Sequence, residues 1–349
     1  MRDHVNRRLR ARGLIIGRPA SRELDKAMVS RQEVVYAYRL LLGREPESEA
    51  AIEGHLRAES WLDLRQRFVR SSEFQAIVGR EVVRREQYEN IFAGPASVDV
   101  EISAEHFKTL LRHIKQAWQD MGEKRPHWSV LTAPEFQPDR IQENLSAFYE
   151  SGMQSWLALE RAASRSGREL RSDWTAFELG CGVGRVTAQL AKHFHLVVAY
   201  DISLPHINIA KEYLNKRLFN NIEFCVLSEL DQLQNLKPFD LFYSIIVLQH
   251  NPPPLIYQIL KIVFSKLKPG GCVYFQVPVS KIGYQFVIED YLRGLAPHNK
   301  AMETHILPQR FLFELMYNSG VRVLDIQRDF WQSSPYVSLS LFGEKSELG

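Results

Sequence analysis

The sequence of 349 residues is poor in cysteine, in long apolar runs and in net charge. Its three cysteines, Cys181, Cys225 and Cys272, are widely spaced and form no Cys-x-x-Cys pair. Neither a disulfide framework nor a zinc site is expected, and a reducing compartment is. No apolar run approaches the roughly 18 residues that cross a membrane. Met1 to Arg12 is arginine-rich without an apolar segment, which is not the pattern of a secretory signal. A cytoplasmic protein with no transmembrane segment is expected. A net charge of +3 is too small to argue for a nucleic-acid partner, and no basic-aromatic stripe adds to it. No carboxylate and histidine cluster has ligand spacing, so no metal is expected. What is present is ordinary: 45% hydrophobic and 24% charged residues. That composition suits a globular chain with room for one large domain and a small one.

The chain divides by composition. Residues 1–24 form a basic tail (Arg2, Arg7, Arg8, Arg10, Arg12 and Arg18), read as disordered. Such a tail can touch anionic lipid headgroups, although a solvated tail is the simpler reading. Residues 25–85 form a small helical domain. Val35, Tyr38 and Leu42 recur at helical spacing, with Gly43 where a C-cap falls. Ala51, Ile52 and Leu56 mark a second helix, and Trp61, Leu64 and Phe68 a third. A fourth begins near Ser71, its N-cap. Residues 86–130 are polar, broken by Gly94-Pro95, and read as a linker. Residues 131–349 form the large domain, opening with two helices around Ser151-Gly152.

From residue 174 strands and helices alternate. Strands are expected at 174–179, 196–201, 222–227, 239–248 and 271–278, and helices at 184–194, 205–217, 254–267 and 308–318. Alternation of this kind makes βαβ units and a parallel sheet. Strands 321–327 and 336–343 follow with no helix between them, which predicts an antiparallel hairpin.

The densest motif is Phe177-Glu178-Leu179-Gly180-Cys181-Gly182-Val183-Gly184-Arg185, at a strand-to-helix junction. Its glycines let the backbone turn sharply and approach a ligand, and the following helix offers unpaired N–H groups. Glu178 can neutralise a cationic ligand from the strand end. A dinucleotide fingerprint needs its third glycine one position later, where this chain has Arg185; this disfavours a nicotinamide-linked oxidoreductase. Asp201 ends the second strand 17 residues after Gly184. Its two carboxylate oxygens match a ribose diol, with Ile202 and Ser203 beside it; a helix N-cap is the alternative role.

The Glu178–Arg185 motif, Asp201 and the strand pattern together resemble class I S-adenosylmethionine-dependent methyltransferases over about residues 140–345. The resemblance implies a Rossmann-like α/β fold, with a seven-stranded sheet of six parallel strands and one antiparallel. It implies S-adenosylmethionine as cofactor, held by Glu178, Gly180, Cys181, Gly182, Gly184, Arg185, Asp201, Ile202, Ser228, Glu229 and Gln249. Many relatives carry Asp where this chain has Ser228, so the adenine contact passes to Ser228, Glu229 or their neighbours. The turn Leu267-Lys268-Pro269-Gly270-Gly271 is frequent in the family just before its fifth strand. Asn251-Pro252-Pro253 does not match the Asn-Pro-Pro-aromatic motif of amino-group methyltransferases, because position 254 is proline. Prolines in a helix's first turn explain it.

Catalytic candidates are His250, His305, Gln249 and Glu303. Gln249 and His250 follow the fourth strand, where ligands bind in open α/β sheets. Glu303 and His305 lie in Lys281 to Leu307, a segment long enough to cover an acceptor, with Tyr284, Tyr291 and His298. Either histidine could take a hydroxyl proton near neutral pH; a structural histidine is the bland alternative for each.

Tyr38–Pro46 and Phe68–Phe74 resemble a small helical domain of unknown function. It recurs beside bacterial glycosyltransferases and methyltransferases of surface-polysaccharide assembly. Phe275–Pro278, Leu248–Asn251 and Met302–Gln309 resemble a bacterial methyltransferase subgroup, some of whose members modify glycosyl groups. These resemblances imply O-methylation of a sugar or other hydroxyl acceptor in polysaccharide biosynthesis. The alternatives are a small-molecule or protein acceptor, or a non-catalytic cofactor-binding scaffold.

Overall fold

The computed structural model describes residues 29–42, 44–74, 97–281, 283–295, 302–329 and 336–346. The basic tail, Gly43, Gly94-Pro95 and His298 lie outside the described residues. The chain forms two compact units, Met1–Asn90 and Ile91–Gly349.

The first unit is helical. α1 (Arg31–Ala37) continues as a π-helical turn, Tyr38–Leu42, and is followed by α2 (Glu49–Leu56) and α3 (Trp61–Arg70). Serines cap all three: Ser30, Ser48 and Ser60 each accept a backbone N–H three residues on. Val34, Tyr38, Ile52, Leu64 and Phe68 bury one another at the helical spacing the sequence shows. A helix begins again at Ser72, as expected.

The second unit opens with α4 (Ala104–Lys124), α5 (Pro126–Val130), α6 (Ile141–Glu150) and α7 (Gly152–Arg165). The alternating half then runs β1 (Thr175–Leu179), α8 (Thr187–His193), β2 (Leu196–Asp201), α9 (Leu204–Asn215), β3 (Ile222–Val226) and α10 (Asp231–Gln234). β4 (Phe239–Ser244), α11 (Pro253–Lys266), β5 (Leu267–Lys281), α12 (Ile288–Arg293), α13 (Gln309–Asn318), β6 (Val321–Arg328) and β7 (Tyr336–Lys345) complete it. The sheet order is β3-β2-β1-β4-β5-β7-β6. β7 runs antiparallel to both neighbours, and the other pairings are parallel. This is the seven-stranded Rossmann-like α/β sheet that the resemblance implies, with one strand antiparallel.

Three readings are corrected. The expected linker contains α4, a 21-residue helix capped by Ser103. Its Leu110, Leu111, Ile114 and Ala117 are buried at helical spacing, and Leu110 and Ile114 join the core under the sheet. β4 ends at Ser244, not residue 248, because Ile246 takes φ +61° and breaks the strand. The Leu267–Gly271 turn belongs to β5: Leu267 pairs with Phe239, and a bulge with Gly270 at φ +74° separates it from the Cys272 pairing.

Candidate functional site

A cavity opens at the C-terminal ends of β1, β2 and β4. Its floor is the loop after β1, where Gly180, Gly182 and Gly184 take φ of +79°, +53° and +85°. Side chains rarely adopt such angles. A Cβ at Gly182 would also meet Val130 Cγ2 at 2.8 Å, and one at Gly180 would strike Val247. Beyond the loop, Asp201 is buried, with its carboxylate already fixed. The Gly182 N–H donates to Oδ2 at 2.8 Å and the Ser203 N–H to Oδ1 at 2.8 Å. A carboxylate has about four acceptor sites, so each oxygen can take one more donor. Neither side chain caps α9: its N-cap residue, Ser203, makes no side-chain cap bond, and Asp201 accepts only the N–H of Ser203, ahead of the first turn.

The charged end of the cavity holds Glu178 and Arg185. Glu178 Oε2 accepts from Thr187 Oγ1 at 2.6 Å. Burial pushes the carboxyl up to about 7, against the lowering by Thr187 and Arg185. Arg185 is buried too, donating to Ser151 Oγ at 3.3 Å and Ser155 Oγ at 3.2 Å. Burial lowers its pKa from the ordinary value. Its Nε has no hydrogen-bond partner.

Other walls went unnoticed in the sequence. Leu111, Ile114 and Trp118 come from α4, Ser129 and Val130 from α5, and His206 from α9. Tyr243, Ile245, Ile246, Val247 and Asn251 come from β4 and the segment after it. Gln276 of β5 is buried behind that segment. Its Oε1 accepts the Ile246 N–H at 3.1 Å, and its Nε2 donates to Gln249 Oε1 at 3.0 Å. A helical pattern after Ser103 was the available signal for α4; Gln276 stood only within the Phe275–Pro278 segment, which gave it no role.

Of the expected cofactor residues, Glu178, Gly180, Cys181, Gly182, Arg185, Asp201 and Ile202 line the cavity together. Gly184 does not; a Cβ there would meet Leu214 and Ala210 of α9. Ser228 and Glu229 line a neighbouring groove, and both their N–H groups donate to Gln232 Oε1. Gln249 is buried against Gln276 and His250.

The catalytic candidates stand one layer behind the cavity. His250 Nδ1 donates to the Glu303 carbonyl at 2.9 Å, and Nε2 meets Gln249 Nε2 at 3.2 Å. Burial drives its pKa down to about 4. A doubly partnered ring packed edge-on to Trp118 braces the wall, which favours the structural alternative that the sequence left open for His250. Glu303 and His305 do come together. His305 Nε2 lies 3.0 Å from Glu303 Oε2, and Nδ1 lies 2.8 Å from the Tyr284 hydroxyl. The Tyr291 hydroxyl donates to Glu303 Oε2 at 2.6 Å. Burial raises the Glu303 pKa, but the hydrogen bonds from His305 and Tyr291 outweigh it and hold the carboxyl below its ordinary value. The His305 N–H donates to the Gln249 carbonyl at 2.7 Å, tying this cluster to the cavity wall.

The cavity fits a nucleoside joined to an amino acid. It offers a carboxylate with spare acceptor sites at a strand end, a glycine loop that a Cβ would obstruct, and an unpartnered guanidinium nitrogen beside a carboxyl group. Among the described residues, no group of three or more His, Cys, Asp or Glu could hold a metal ion. No helix among them is long and apolar enough to cross a membrane.

Comparison with known proteins agrees with this geometry. Residues 176–271 match a family model described as a methyltransferase domain. The chain is 26% identical over 152 residues to the ubiquinone biosynthesis O-methyltransferase of Coxiella burnetii, covering 43% of this chain and 64% of that protein. It is 22% identical over 176 residues to the protein of that name in Rickettsia typhi, covering 47% and 70%. The chain thus spans somewhat under two thirds of the Coxiella relative. Among solved structures, the magnesium protoporphyrin IX methyltransferase of Synechocystis PCC 6803 with bound SAH aligns at a TM-score of 0.45. The two are 16% identical, over 67% of this chain and 100% of that one.

Proposed function

We propose that the second unit, a class I S-adenosylmethionine-dependent methyltransferase domain, moves a methyl group from that cofactor to a hydroxyl oxygen of a small acceptor. The observation that carries this reading is the coupling of Gly182 N–H to the Asp201 carboxylate, which joins loop and strand end into one preformed seat. Asp201 accepts the ribose hydroxyls. Glu178 faces the cationic amino group, and Arg185 turns its unpartnered Nε to the carboxylate. S-adenosylmethionine supplies an already activated methyl group, so the protein's task is chiefly alignment.

A hydroxyl acceptor must also lose a proton. His305 is the group we assign to this, acting through Tyr284: with Nε2–H held by Glu303, Nδ1 accepts from the Tyr284 hydroxyl, which would pass its proton to Nδ1 and take up the proton of the acceptor. The relatives' names support oxygen as the accepting atom. The resemblance of the helical domain at 25–85 favours a sugar hydroxyl as one form of that acceptor.

Calorimetric titration with S-adenosylmethionine and S-adenosylhomocysteine tests the reading. Micromolar binding of both is expected, weakened at least tenfold in Asp201→Ala. No binding by folded protein would end it. Where turnover is found, His305→Gln should lower kcat by about 10²–10⁴ and leave S-adenosylhomocysteine affinity unchanged.

A further inference from the structure

A second groove lies against the cavity and shares Leu111 with it. One wall is a face of α4 that presents Phe107, Lys108, Leu111, Arg112 and Lys115. These positions are three or four apart, so they stand on one side of the helix. The opposite wall is α11, presenting Tyr257, Gln258 and Lys261 at the same spacing. Ser228 to Asp231 lies between them.

The charges here are arranged unlike those at the other end of the sheet. There Arg168 pairs with Glu344, Arg171 with Asp173 and Lys268 with Asp240. In the groove, Lys115 donates to the neutral Ser228 hydroxyl at 3.2 Å. Lys108, Arg112 and Lys261 make no ion pair among the described residues, although Glu101, Glu229 and Asp231 share the same groove. Cations from two helices therefore stand across a groove whose walls also offer Phe107, Leu111 and Tyr257. An aromatic and aliphatic strip flanked by cations without a direct ion pair suits a ligand with an organic body and a multiply charged anion. A guanidinium on one wall and an ammonium on the other suit a phosphate, whose several oxygens can accept from both.

We infer that this groove holds a phosphate-bearing acceptor, with its phosphate between Arg112 and Lys261 and its organic body running past Leu111 toward the cofactor cavity. The inference rests on the methyltransferase reading, since that reading places the reacting methyl group in the adjoining cavity.

Two sources share this chemistry, a lipid phosphate and a soluble nucleotide. The test is titration of the full chain with octyl phosphate, uridine diphosphate and, as the neutral control, octanol. At least one phosphate probe should bind. Arg112→Gln with Lys261→Gln should weaken that binding tenfold or more while the thermal midpoint and S-adenosylhomocysteine affinity hold. Tighter octyl phosphate binding identifies a lipid-type acceptor, and tighter uridine diphosphate binding a nucleotide-type one. Binding of neither, equal binding by the double variant, or octanol binding as well as octyl phosphate overturns the inference. Both side chains are exposed, so their replacement does not endanger folding. Failure of the cofactor reading shows separately, as absent S-adenosylhomocysteine binding.

Discussion

Glu178 sits where an ionised carboxylate is least at home, buried beneath a glycine loop with one hydroxyl donor. Its folded pKa of about 7 lies above the ordinary 4.5, so the folded state holds this proton more tightly than the unfolded chain. The resulting stability is complete below about pH 4.5 and is lost as pH rises through about 7. Glu178→Gln removes that dependence. Thermal unfolding should show the variant gaining on the parent between about pH 5 and about pH 8, by at most about 3 kcal/mol. An equal gap at both pH values would mean that Glu178 does not titrate there. Glu178, Gly180, Gly182 and Asp201 were legible because their chemistry is tied to local backbone: turns, strand ends and fixed spacing. Trp118, Ser129 and His206 were not, since only tertiary packing brings them to the cavity, nor was Gln276, which packing puts behind its wall. The role of His250 stayed open in the sequence for the same reason: nothing local announces that the carbonyl of Glu303, 53 residues on, accepts from its Nδ1.

The helices and strands of the alternating half were readable as elements, because burial on a sheet imposes their period on the residues. α4 was not, although Ser103 and the run from Leu110 to Ala117 carried its pattern; a polar outer face and the Gly94-Pro95 break masked it. The way α4 docks gives a sharp test. A Cβ at Gly122 would collide with Ser203 Oγ and approach His206 Nδ1 to 2.8 Å. Gly122→Ala should therefore destabilise the second unit by about 1–3 kcal/mol despite alanine's better helix propensity. Gly54, inside α2, has nothing within 4 Å of an added Cβ. Gly54→Ala should stabilise the first unit by about 0.5–1 kcal/mol. Chemical denaturation of both variants checks the opposed signs, and matching signs would refute the packing argument.

At the scale of the molecule, every described residue that lines the cavity belongs to the second unit. A chain beginning at residue 91 should bind S-adenosylhomocysteine within about twofold of the full chain. A tenfold loss would refute the assignment of the binding site to the second unit alone. The parallel sheet and its antiparallel final hairpin were legible from the alternation of elements and the unseparated final pair of strands; the order of the strands was not, because pairing partners leave no mark on local sequence. The second unit's reach back to α4 was not, because the break at 94–95 lies close to a true division of the chain and drew the boundary too far along it.

Ile246 carries a last consequence. It is a β-branched residue at φ +61°, a conformation glycine adopts freely, held there by Gln276 and facing the cofactor cavity. The residue that would fold most comfortably at this position and the residue that closes the wall are different ones. Selection for thermal robustness alone would drift toward glycine here and open the pocket as the protein hardened. Any campaign to stabilise this chain should leave position 246 out of its library.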